Sequence, residues 1–308
     1  MVVVNDAGAD PWPQEEEPEP PLHLAAAMGS PDEIVDLIGR GVDVDAEYQG
    51  RTALWAAVHG GERECARVLQ EAGADVLRPG PDGWTPWRLS LVGYEAGLLG
   101  HRPGLPDLSE PDVEAVRRGR AVMNALADID LYGFSITCVP GLDVAEVVRR
   151  MGARPASTEV VDLASEPWES VHRDDSAVMR TVGVTAVPGG SVVCQPWANG
   201  AKTPGVAARV SVGTVCYSMY ENPKSGNQGA ITRDGKIVAH DLHPGGGYPD
   251  LDDTEEERFR DYLFRGHAAA YSCAFVGLEP TDSRAVSSSP DLWVELPVRG
   301  HRVIPSGR

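Results

Sequence analysis

Lysine is scarce in this 308-residue chain: Lys202, Lys224 and Lys236 are the only three, and the other 24 basic residues are arginines. Set against 46 acidic residues, this leaves a formal charge of −19 and a pI near 4.7. Phosphate backbones carry the same sign, so no nucleic-acid partner is expected. No apolar run reaches the ~18 residues that a spanning helix needs, so no membrane partner is expected either. The opening MVVVNDAGAD has neither a basic n-region nor a long apolar stretch, and a signal peptide is not expected. Disulfide spacing is missing too. Cys65, Cys138, Cys194, Cys216 and Cys273 are odd in number, widely spaced and form no CxxC, which speaks against a stapled scaffold or a zinc knuckle. Free cysteines in apolar surroundings fit a cytoplasmic location. The arginine bias, with abundant Ala, Gly, Val, Pro and Asp, points to a GC-rich bacterial genome.

What is present begins with residues 1–20, which hold six acids, no base and Pro11, Pro13, Pro18 and Pro20. That composition predicts an acidic, disordered lead-in. Self-similar segments follow: PLHLAAAMG (21–29), TALWAAVHGG (52–61) and TPWRLSLVG (85–93). Between them lie Ile34, Val35, Leu37 and Ile38 ending in GVDVDA (41–46), then Cys65, Ala66, Val68 and Leu69 ending in GADV (73–76). The period of 32–33 residues and the T-P-L-H-like openings resemble the ankyrin repeat. Thr or Pro suits a helix start, and Gly41 and Gly73 suit a left-handed helix end. Ala25, Ala26, Ala56 and Ala57 permit close helix approach. Leu37, Ile38, Val68 and Leu69 form a stripe that only a stacked neighbour can bury. The third unit is degenerate, because a Gly/Pro-rich stretch (97–111) replaces its second helix. A helix starting at Pro111 is expected to cap the array or bridge onward, giving an array over 21–129.

From 130 to 308 the periodicity changes. Strands are expected at 134–140, 178–187, 190–197, 214–222, 228–243 (a hairpin about Asp234 and Gly235) and 292–298. Helices are expected at 142–153, 203–213 and, as one long element, 253–278, whose first turn carries Glu255, Glu256 and Glu257. The fold class is therefore α plus α+β: a short helical repeat array, then a mostly antiparallel sheet of five or six strands with helices packed on one face. Residues 134–298 are also similar to a bacterial domain family of unknown function, through ITCVPGLDVAEVVRRMG (136–152), VPGGSVVCQPWANG (187–200), GTVCYSMYEN (213–222) and IVAHDLHPG (237–245). That resemblance implies no activity and transfers no catalytic residue.

Repeat arrays of this kind bind proteins through loop tips and inner helix ends. Here those positions are Tyr48, Gln49, Arg51, His59, Asp82 and Trp84, several of them types that dominate interfaces. The leading expectation is a non-enzymatic protein that binds a protein partner, with a basic one favoured by charge and a toxin-neutralising or regulatory role. The rival is an enzyme or small-molecule sensor in the second domain, with a polar cluster of Tyr220, Asn222, Lys224, Asn227, Asp241 and His243 as its pocket and the repeats as adaptor. A third reading makes the chain part of a homo-oligomer. No metal or cofactor is expected: His240 and His243 fall on opposite faces of a strand, the 221–229 stretch lacks the GK[ST] ending of a phosphate loop, and no G-x-S-x-G elbow occurs. Neither Cys138 nor Cys216 has a local base. Asp174 with Asp175, and Asp252 with Asp253, read as a polar loop and a helix start.

Overall fold

In a computed structural model the described residues are 18–93, 95, 97–127, 133–165, 177–222, 224, 226–246, 249, 252–287 and 289–298. The acidic lead-in up to residue 17, Tyr94, the polar stretch around Pro167 with Asp174 and Asp175, and part of the 243–250 segment lie outside them. The chain divides into two compact units, Met1–Leu91 with Gly97–Pro103, and Val92–Ala96 with Gly104–Arg308. No helix of the described residues is long and apolar enough to cross a membrane.

The first unit is a stack of short helices: α1 (Pro21–Ala27), α2 (Pro31–Gly39), α3 (Ala53–Gly60), α4 (Arg63–Glu71) and α5 (Pro86–Val92). Local chemistry sets their ends. Pro21 opens α1, and the Thr52 side chain caps α3 by accepting from Trp55 N at 3.2 Å. After α2, Gly41 N and Val42 N donate to Ile38 O and Leu37 O; after α4, Gly73 N and Ala74 N donate to Gln70 O and Leu69 O in the same pattern. Ile34, Leu37, Cys65 and Leu69 are buried between the layers, whereas Ile38 and Val68 are only half-buried. A two-residue ladder, β1 (Glu47–Tyr48) with β2 (Arg51–Thr52), comes between α2 and α3 in the chain and turns at Gln49 and Gly50. Both turn residues have positive φ, 50° and 74°, the handedness of a tight hairpin turn. No second helix follows α5 before residue 110 among the described residues.

The second unit is built on an eight-stranded, wholly antiparallel sheet in the order β4-β10-β5-β6-β3-β7-β8-β9. Its strands are β3 (Ser135–Pro140), β4 (Arg154–Pro155), β5 (Thr181–Val187), β6 (Gly190–Gln195), β7 (Val215–Asn222), β8 (Gly226–Arg233), β9 (Lys236–Asp241) and β10 (Leu292–Glu295). The sheet is wider than expected, partly because Arg154 and Pro155 add an edge strand too short to show alternation. The Gly189, Gly190 and the Asp234, Gly235 hairpins form where the sequence places them.

Helices flank both faces of this sheet rather than one. Val139, Val184, Val193 and Cys216 pack with Val147 and Met151 of α7 (Val144–Met151) and Val206 and Val210 of α9 (Pro204–Val210). Cys138, one residue from Val139 and so on the opposite face, meets Cys273 of α11 (Ala268–Phe275) at 3.7 Å. Tyr217 likewise packs on Tyr271 and Phe275. A short α8 (Thr158–Ser165) follows β4.

One further expectation is corrected. The long helix at 253–278 is two helices, α10 (Glu255–Leu263) and α11, interrupted where Gly266 takes φ +77° and donates to Gly245 O at 2.6 Å. A left-handed glycine ends a helix even inside an apolar, helix-favouring run. The helix α6 (Glu110–Ala125), expected to cap the array or bridge onward, falls within the sheet unit. Its Gly119 makes room for Leu263 and Phe264.

Candidate functional site

Successive repeats are joined by the same device. His23 Nε2 lies 2.9 Å from Arg51 O, the residue before the Thr52 cap. One repeat on, Trp55 takes the histidine's place, and its indole N–H donates to Trp84 O at 3.0 Å, the residue before Thr85. The loops are tied as well: Asp75 N donates to Asp45 Oδ1 at 2.9 Å, and Arg78 pairs with Glu47 at 2.6 Å. Each link spans 28 to 31 residues, which is how a repeat buries against its neighbour and not against itself.

The six positions expected to face a partner divide into two groups. Gln49 is exposed, and Tyr48, Arg51 and Asp82 are half-buried at two successive tips. Those tips lie together, since a Cβ on Gly50 would come within 2.9 Å of Pro81 Cγ. Tyr48 stands edge-on to His23 (5.9 Å), and Arg51 lies 4.9 Å above the Trp55 ring. His59 and Trp84, in contrast, are 4% and 1% exposed. His59 stacks on Trp55 at 4.8 Å, and Trp84 lies beneath the Arg88 guanidinium at 4.0 Å. These two hold the stack together and present no surface.

In the sheet unit, the polar cluster does not converge. The stretch expected as a loop at 221–229 is mostly ladder, with β7 and β8 paired as far as Asn222 and Gly226. Only the turn remains, where Lys224 N donates to Asn222 Oδ1 at 2.9 Å and Lys224 is exposed. Pro223 and Ser225 lie outside the described residues. Tyr220 shares the face of Cys216 and Ser218. Asp241 sits on the other, accepting from Tyr217 OH at 2.6 Å and from His243 N at 2.9 Å. Asn227 also points away from Tyr220, its amide reaching Pro244 O at 3.5 Å. A ligand cannot touch both faces of one sheet.

The Tyr220 face holds a different site. A cleft of about 500 Å³ opens between α9 and strands β7, β8 and β9. Its polar lining includes Lys202, Ser218, Tyr220, Gln228, Thr232 and His240, and its walls include Pro204, Ala207, Ala230 and Ile237. Ile237 and His240 are three apart and should face opposite ways. A register shift between Ile231 and Thr232 pairs Thr232 with Ile237 and Ala230 with His240, which brings both to the same side.

Buried polar groups fix the segment that carries Lys202. Gln195 Nε2 donates to Thr181 O (2.8 Å), while its Oε1 accepts from Gly200 N (2.6 Å). Ser135 Oγ donates to Ala198 O (2.7 Å) and accepts from Ala201 N (3.1 Å). Thr137 Oγ1 donates to Ala201 O (2.7 Å), leaving Ser218 Oγ to donate to it at 2.8 Å. Ser135, Thr137 and Gln195 are fully buried, so these bonds act in a low-dielectric setting where geometry is rigidly held. Burial also pulls the Lys202 ammonium below the usual lysine range. Sequence reasoning missed Lys202; its one local signal is its place before the Thr203, Pro204 helix start.

The thiols are poor nucleophiles. All five are free and buried. Burial raises Cys138 and Cys194 well above the usual thiol range and Cys216 to about 12, so the reactive thiolate is scarce at neutral pH.

Residues 2–80 match the family described as ankyrin repeats (3 copies). The match begins ahead of α1 and stops before α5. None of the curated proteins compared with the chain matches it. Ankyrin repeats generally mediate protein–protein interaction.

Proposed function

We propose that this chain is a non-enzymatic interaction protein whose repeat array grips a basic protein partner along the stacked tips that carry Tyr48, Gln49, Arg51 and Asp82. The observation that carries this reading is the pair of adjacent, solvent-reaching tips in a strongly acidic segment. Residues 1–91 hold 17 acidic and 6 basic residues, so −11 of the −19 net charge falls there. That −11 already includes the six arginines, of which Arg40, Arg67 and Arg78 lie against acids and Arg51 and Arg88 over rings. Such a field speeds encounter with a cationic surface and rejects an anionic one. A regulatory or toxin-neutralising role fits that selectivity, and the free thiols fit a reducing cytoplasm. The fused sheet unit, in this reading, belongs to the bacterial domain family that residues 134–298 resemble.

The test is affinity capture with the full chain and two variants. Gln49→Arg adds a cation at the tip, and Asp82→Asn removes an anion while keeping the oxygen that accepts from Trp84 N. A partner with a basic surface that is lost with both variants and at raised salt supports the proposal. A partner retained equally by Gln49→Arg, Asp82→Asn and the parent sinks it.

A further inference from the structure

The cleft on the α9 face is independent of the repeat array, and two of its groups are left incomplete by the protein itself. Lys202 is half-buried, and no ion pair or side-chain hydrogen bond reaches its ammonium among the described residues. No carboxylate of the described residues lines the cleft. In a chain with 46 acids and three lysines, this lysine sits where no acid offsets its charge. The second group is Thr232, a lining residue only 1% exposed, on the same face of the sheet as Cys216 and Tyr220, whose buried Oγ1 has no hydrogen-bond partner. Partly burying a cation and orphaning a buried hydroxyl both cost free energy. A ligand that supplies an anion and a second polar atom removes both costs at once.

The size and lining narrow the ligand's chemistry. About 500 Å³ falls in the range of small-molecule sites, too large for an inorganic ion alone. One ammonium and no arginine suit a single negative charge; a phosphate group usually draws bidentate guanidinium or several cations. The α9 start offers little to a phosphate, since that helix has seven residues and a proline in its first turn. Pro204 and Ala207 of α9, with Ala230 and Ile237 of the strands, provide apolar walls, and Gln228 and Thr232 flank Ala230 on β8.

We infer that this cleft binds a small hydroxy-monocarboxylate, its carboxylate on Lys202 and its hydroxyl toward Thr232 and Gln228. The buried network through Ser135, Thr137 and Gln195 is the support that keeps the 198–203 segment, and with it the ammonium, in place before ligand arrives.

The scarcity of lysine makes the test direct. Reductive methylation of the full chain with a carbon-13 label gives side-chain resonances from only three lysines, assigned with Lys224→Arg and Lys236→Arg. The probes are a panel of aliphatic and aromatic hydroxy-monocarboxylates, the matching amides, the matching acids without hydroxyl, and inorganic phosphate. A saturable shift of the Lys202 resonance alone by carboxylates is the expected result. By calorimetry on unmodified protein, Lys202→Met should weaken that binding about tenfold or more, the fold-change of a lost charge-assisted hydrogen bond. The near-isosteric Thr232→Val should erase the preference for the hydroxylated acid while leaving the fold unchanged. Amides that bind as tightly as acids, phosphate that binds in preference to carboxylates, equal shifts at all three lysines, or no saturable shift at Lys202 would each overturn the assignment.

Discussion

Gly119 and Gly39 set helix propensity against packing in the same substitution. Both are helical glycines, in α6 and α2, and in an open helix alanine gains about 1 kcal/mol over glycine. A Cβ on Gly39 would meet nothing within 4 Å, so Gly39→Ala should stabilise the repeat unit by about 0.5–1 kcal/mol. A Cβ on Gly119 would lie 2.6 Å from Leu263 Cδ2, 3.1 Å from Leu263 Cγ and 3.2 Å from Phe264 Cζ. Leu263 and Phe264 are 3% and 5% exposed, so neither can swing aside into solvent. Overpacking a core typically costs about 1–3 kcal/mol, which outweighs the propensity gain and leaves Gly119→Ala about 1 kcal/mol less stable. Urea unfolding followed by circular dichroism, with hydrogen exchange to separate the two units, measures both. The double variant Gly119→Ala with Leu263→Ala should show a favourable coupling of about 1 kcal/mol, since the clash is then gone. If Gly119→Ala stabilises as Gly39→Ala does, the close packing of α6 on the 263–264 turn is not what holds that helix.

Three further outcomes are expected. Trp55→Phe removes the N–H that ties one repeat to Trp84 O and should cost the array about 1–3 kcal/mol; unchanged amide protection in α5 would argue against the inter-repeat link. Burial raises the Asp261 carboxyl to about 6, despite relief from Arg260 and Tyr271. A raised acid pKa means a stability contribution fully present below the ordinary aspartate range and lost as pH climbs through 6. Asp261→Asn should then be more stable than the parent at pH 7 by about 1–2 kcal/mol, after discounting for its partial exposure. That advantage should vanish by pH 4, and an advantage that does not change with pH would refute the assignment. Finally, the buried thiols should react with an aromatic disulfide reagent only after unfolding; rapid labelling of any cysteine in the native chain would contradict their burial.

Much of the architecture was written locally. Helix caps at Thr52, left-handed glycines at 41 and 73, and tight turns at Asp234 with Gly235 are decided by residues within four or five positions of each other. Repetition then copied those local signals at a period of 32–33, so the array could be read without coordinates. Alternation marked the main strands, but a two-residue strand such as Arg154 and Pro155 is too short to alternate, and Gly266 broke a helix whose composition favoured continuing. Which way a side chain faces was another matter. Trp84 and His59 occupy tip-like positions in the repeat, yet ring stacking and a neighbouring guanidinium draw them inside.

The candidate pocket failed as read because adjacent strand residues face opposite ways: Tyr220 and Asp241 lie near each other in the sheet but on different sides of it. Lys202 became significant only when Ser135 and Thr137, more than sixty residues earlier, pinned its segment beside the strands. A register shift between Ile231 and Thr232 turned Ile237 and His240 to the same side. Sequence by itself determined most of the elements and their order, because short-range sterics and hydrogen bonding suffice for those. Tertiary structure alone decided which groups meet, because register, bulges and hydrogen bonds between distant residues set the direction of every side chain.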